Sequence, residues 1–151
     1  MKRALFVSFA AVLLALSCTE PSPSVSGTWR ITSALTYPSP SDWDIGPGQP
    51  QICADTGTLT LQGGVTFSGT YDSLIIASNT GSNTPGNSGL VINGALASGT
   101  VSFNFDTPGW LYVGTVHGDS MGGVVTDSVN GSSGWGLASG TWSACKGRFC
   151  R

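Results

Sequence analysis

A tetrapeptide that recurs at strand-like intervals constrains the fold of this chain more than any other feature. Ser-Gly-Thr followed by a large residue occurs at Ser26-Gly27-Thr28-Trp29, Ser68-Gly69-Thr70-Tyr71, Ser98-Gly99-Thr100-Val101 and Ser139-Gly140-Thr141-Trp142, with a partial copy at Gly114-Thr115-Val116. Side chains alternate between faces of a strand, so the glycine and the large residue share one face and threonine takes the other. A bare glycine beside a bulky neighbour lets a strand coil, which is how curved sheets close on themselves. The chain has 22 glycines, and beyond residue 18 no stretch repeats apolar positions at helical spacing. The expected fold class is all-β, as a small antiparallel up-and-down barrel of about eight strands.

Alternation places the strands near 26–35, 57–62, 65–77, 88–96, 99–106, 109–117, 120–127 and 137–145. Leu59 with Leu61, Val65 with Phe67, Gly69 and Tyr71, and Val101 with Phe103 and Phe105 form the inward-facing sets. Gly63-Gly64, Asp106-Thr107-Pro108-Gly109 and Gly118-Asp119-Ser120 read as hairpin turns, where glycine supplies positive φ and aspartate bonds the backbone. An eight-stranded barrel either fills with side chains or holds one small ligand. Two connections are long: 37–54, which carries Trp43 between Asp42 and Asp44, and 78–89, rich in Ser, Asn and Gly. Up-and-down topology puts both at one rim, where Trp43 either stacks on a ligand or folds down over the core.

The first residues carry a different signal. Lys2 and Arg3 precede an apolar run from Ala4 to Leu16, and Leu14-Ala15-Leu16-Ser17-Cys18 ends it with small residues before a cysteine. The run is too short to span a bilayer, which takes about 20 apolar residues. The pattern resembles a bacterial lipoprotein signal, whose lipobox cysteine receives the lipid and becomes the mature N-terminus. The resemblance implies a signal peptide over 1–17, a lipidated Cys18 opening a Pro/Ser tether over 18–25, and a single domain over 26–151. Thr19 is not the aspartate that marks inner-membrane retention in the Gram-negative family. The implied location is therefore the cell envelope, on the outer membrane in such a host.

Removing residues 1–17 from 151 leaves 134, the size of one domain with one core. Charged residues make up 9% of the chain against about 25% in ordinary proteins. After residue 17 the bases are Arg30, Lys146, Arg148 and Arg151 against eight acids, a balance of −4. No basic stripe exists to follow a phosphate backbone, so nucleic acid is not an expected partner.

Gly-Thr-Trp, followed later by Thr66-Phe67-Ser68-Gly69-Thr70-Tyr71-Asp72-Ser73, resembles the opening strands of calycin barrels, and in particular the avidin and streptavidin family. That resemblance implies a lipocalin-like barrel in which Tyr71 and Ser73 match the family's ligand-binding Tyr-x-Ser. Ile31 stands where the family has a ligand-binding Asn, and Val101-Ser102-Phe103-Asn104-Phe105 replaces its Trp-x-x-x-Trp strand. Fold carries over better than ligand, and biotin is not the expected one.

Chemistry-bearing constellations are scarce. His117 is the single histidine, and its neighbours Gly118-Asp119-Ser120 form a turn rather than a Ser-His-Asp relay, whose members must converge from separate segments. Asp42, Asp44 and Asp55 lack EF-hand spacing and read as solvated loop acids, so no metal or other cofactor is expected. Asp72, Asp106 and Asp127 offer carboxylates with nothing to select them as a glycosidase pair. Cys53, Cys145 and Cys150 remain in an oxidising compartment; Cys145 with Cys150, around the central Gly147, is the preferred disulfide and Cys53 with Cys150 the alternative.

The sequence thus points to a non-catalytic envelope lipoprotein whose barrel binds a small apolar or amphipathic ligand through Trp43, Tyr71 and Ser73. The alternative is a filled barrel that acts as an inhibitor, structural partner or interaction module for an envelope protein. An unrecognised enzyme stands third.

Overall fold

The structure is a computed structural model that describes residues 23–37, 51–78, 83–84, 88–106, 110–127 and 138–147, with the backbone alone at 37, 51, 53, 73–78, 83 and 84. Nine strands are present in chain order: β1 (Gly27–Tyr37), β2 (Gln51–Gly63), β3 (Thr66–Ser78), β4 (Asn83–Thr84), β5 (Gly89–Ala97), β6 (Thr100–Phe105), β7 (Leu111–His117), β8 (Ser120–Thr126) and β9 (Ser139–Cys145). All pairings are antiparallel, and with β9 returning to β1 every strand except the two-residue β4 belongs to a closed eight-stranded up-and-down barrel. β4 pairs only with Ile76 and Ala77 near the end of β3. Closure leaves the barrel without a free edge.

The two ends of the barrel differ. At the base, tight links join β2 to β3, β5 to β6 and β7 to β8. Ser98 and Gly99 both have positive φ, 50° and 79°, as a two-residue hairpin matched to strand twist demands. The third Ser-Gly-Thr copy is therefore a turn running into a strand, whereas the other three begin or lie within strands. At the opposite rim the strand ends Tyr37 and Gln51, Ser78 and Gly89, and Thr126 and Ser139 lead into the longer connections.

Two local expectations need correction. β2 begins at Gln51 rather than near 57, because Asp55, Gly57, Leu59 and Leu61 all keep their places opposite Ser33, Ile31, Trp29 and Gly27 of β1. Its polar first half hides the alternation that the leucines reveal. Val65 does not face inward: it lies in the bend between β2 and β3 and is 74% exposed.

The interior is packed with rings. Phe103 stacks on Tyr112 with centroids 4.9 Å apart, Tyr71 stacks on Phe105 at 4.3 Å, and Trp142 meets Phe103 edge-on at 5.4 Å. Trp29, Leu59, Val101, Phe103, Phe105 and Tyr112 are fully buried. The large residues do lean over glycines, but over those of other strands. A Cβ at Gly94 on β5 would strike the Phe67 ring of β3, one at Gly89 the Tyr71 hydroxyl, and one at Gly114 on β7 the Trp142 indole of β9. Each glycine makes room for a ring that crosses the sheet.

The base is sealed by the chain ends. Val25 is fully buried, so packing reaches the last residue of the expected tether, and its carbonyl accepts the Trp29 indole N–H at 2.7 Å. The Lys146 ammonium sits 4.4 Å from the Trp29 ring centroid and donates to the Ser24 carbonyl at 3.3 Å. Ser26 completes the seal, with its hydroxyl donating to the Gly63 carbonyl and accepting the Gly63 N–H.

Candidate functional site

β1 carries Trp29, Ile31, Ser33 and Leu35 on its inward face, and β2 answers with Leu59, Gly57 and Asp55. Apolar residues line this face on both sides of one polar position, with Ile31 toward the base and Leu35 toward the rim. Among the described residues, Ser33 and Asp55 are the only buried side chains that are neither hydrophobic nor aromatic, and they stand directly opposite each other. The Ser33 hydroxyl donates to Asp55 Oδ2 at 3.3 Å. Asp55 is 3% exposed, and among the described residues its Oδ1 has no hydrogen-bond partner. Burial pushes the Asp55 carboxyl up from 3.8 to about 6, against the smaller opposing pull of the Ser33 hydrogen bond. At neutral pH it is therefore mostly an anion held in apolar surroundings.

The chain assembles this pair by register alone. Trp142 of β9 lies opposite Ser33 on the other side of β1, and Leu35 is the next inward residue toward the rim. The pair is thus flanked in register by an indole and a leucine. Sequence reasoning placed Asp55 among the solvated loop acids, which the strand corrects. The available signal was parity, because Asp55 stands four residues before Leu59 and six before Leu61 and so falls on their face of a strand.

Of the residues expected to bind a ligand, Tyr71 is the one whose side chain is described. Tyr71 is 1% exposed, inside the barrel. Its β2 partner is Leu59, four residues from Asp55 and so roughly 13 Å away along the strand. Ser73 lies on β3, with its side chain outside the described set, and Trp43, Cys18 and Cys150 lie outside the described residues. His117 belongs to the turn, where the Ser120 hydroxyl donates to its carbonyl at 3.0 Å. Cys145 is disulfide-bonded. Cys145 pairs with Arg30 and Cys53 with Leu35, positions five residues apart on β1, or roughly 17 Å, beyond the ~7 Å that a bridge can span.

Two open depressions mark the outer wall. One of about 410 Å³, lined by Thr70, Tyr71, Asp72, Ser88, Gly89 and Leu90, lies where the β3–β5 pairing ends. The other, of about 210 Å³, lies between β1 and β9 and is lined by Thr32, Ser33, Ala34, Thr141, Trp142 and Ser143. Comparison with protein-family models, with curated proteins and with solved structures finds no match to this chain.

Proposed function

We propose that the protein is an exported lipoprotein, anchored to the cell envelope through Cys18, whose barrel captures a small apolar or amphipathic ligand without catalysis. The observation that supports capture is the Ser33–Asp55 pair, a polar contact buried among aliphatic and aromatic side chains. Binding sites combine apolar walls with a few placed polar groups in this way. Rings fill the interior around Phe103 and Tyr112, so the ligand enters from the rim and seats above them. Trp43, on the connection between β1 and β2, is the proposed aromatic contact at that rim.

Two experiments test the reading. Tryptophan fluorescence against a panel of small apolar and amphipathic molecules should give a saturable response from at least one class, with biotin giving none. Silence from every class, together with a co-purifying envelope protein, would replace capture with the interaction module. That second reading has its own support in the filled core and in the outward-facing Leu90, Ile92, Val113 and Val124, which are between 37% and 53% exposed. Anchoring is tested by intact mass: the membrane-fraction protein should be acylated at Cys18, and Cys18→Ala should abolish acylation. A cleaved, unmodified wild-type protein would contradict it.

A further inference from the structure

We infer that Asp55, supported by Ser33, is the anchor for an organic cation, an ammonium or similar N–H donor carried on a compact apolar body. The inference rests on the ligand-capture reading and adds the chemical class of the ligand.

The carboxyl group selects the head group. Oδ2 is engaged by the Ser33 hydroxyl and Oδ1 accepts nothing among the described residues, so one buried oxygen keeps its lone pairs for a donor. Among the described residues no cation reaches it: Arg30 is exposed on the outward face of β1, and Lys146 is held at the base over Trp29. A buried carboxylate with neither counter-charge nor full hydrogen bonding is costly, and a ligand that brings both removes the cost. An ammonium does so, because it combines positive charge with several N–H donors. A neutral alcohol supplies a donor without the charge. A carboxylate ligand adds a second negative charge and is repelled.

The surroundings select the body. Leu35 and Trp142 flank Ser33 along and across the strands, and both are buried. Apolar walls beside a carboxylate suit an organic cation, because the carboxylate takes the charge while Leu35 and Ile31 along β1 cover an apolar body. A strongly hydrated inorganic ion would gain nothing from such walls.

The test uses the full-length protein and three probes that share one body: 2-phenylethylammonium, 2-phenylethanol and 3-phenylpropanoate. Calorimetry at neutral pH should show the ammonium binding at least about tenfold more tightly than the alcohol, with no binding of the propanoate. Asp55→Asn should weaken the ammonium at least about tenfold and leave the alcohol unchanged; Ser33→Ala should weaken the ammonium by a smaller factor. Equal binding of ammonium and alcohol by the wild type overturns the cation anchor while leaving ligand capture standing. Binding of the propanoate in preference to the ammonium also overturns it, as does no binding of any probe, whereas ligand capture itself falls only if the wider panel is silent as well. Should Asp55→Asn fail to fold, the wild-type selectivity still decides.

Discussion

The indole N–H of Trp142 on β9 reaches across β8 to donate to the carbonyl of Val113 on β7, at 3.2 Å. The intervening position on β8 is Gly123, and the inward position on β7 is Gly114, its register partner. A Cβ on Gly114 would come within 3.0 Å of the indole and collide with the Gly122 backbone. Gly114→Ala should therefore destabilise the barrel by about 1–3 kcal/mol through overpacking. Trp142→Phe should cost about 1 kcal/mol for the lost hydrogen bond in addition to lost packing. Urea denaturation measures both, and a neutral Gly114→Ala would show that the indole does not cross there.

The latch at the base separates charge from packing. Lys146→Met keeps an unbranched stem but removes the ammonium over Trp29, and should cost about 0.5–1 kcal/mol. Trp29→Ala empties a fully buried site and should cost about 3–5 kcal/mol. If the two variants lose equal stability in urea, the base is not held as described.

How much of this was legible beforehand differs by element. Leu59, Leu61, Phe67, Tyr71, Val101, Phe103 and Phe105 read as inward from alternation alone, and all are buried. The turn at Gly118 also read well, since its composition announces it, whereas Ser98-Gly99 read as part of the strand repeat and is a two-residue turn. Asp55 did not, because a charged residue in a Pro/Gly-rich stretch looks like loop until its partner strand is known. Nor could the sequence say which strand each ring would lean across, since Trp142 over Gly114 depends on the stagger of three strands. Cross-strand packing is a property of closure, and local spacing does not encode it.

The disulfide offers a check on register that needs no assay of function. Non-reducing peptide mapping should join Cys145 to Cys150 and leave Cys53 open to alkylation. A Cys53–Cys145 bridge would contradict the β1 pairings, which set those two residues five positions apart along β1.

Asp55 also sets the pH dependence of stability. Its folded value of about 6 lies above 3.8, so between those values the folded protein holds a proton that the unfolded chain has released. Stability contributed by this group is then present below about pH 4, falls as pH rises to about 6, and is flat above, a total of about 3 kcal/mol. Asp55→Asn should abolish that fall, so its stability relative to wild type should improve from pH 4 to 7. Parallel profiles for the two proteins in urea would show that the carboxyl is not buried.

The most direct measurement is the titration of the Asp55 carboxyl carbon by NMR in the full-length protein, assigned with Asp55→Asn. A buried anchor held by Ser33 alone should titrate with a midpoint about 6, and 2-phenylethylammonium should draw that midpoint downward by favouring the anion. A midpoint near 3.8, unmoved by the cation, would place Asp55 in water and contradict a buried binding site at this position.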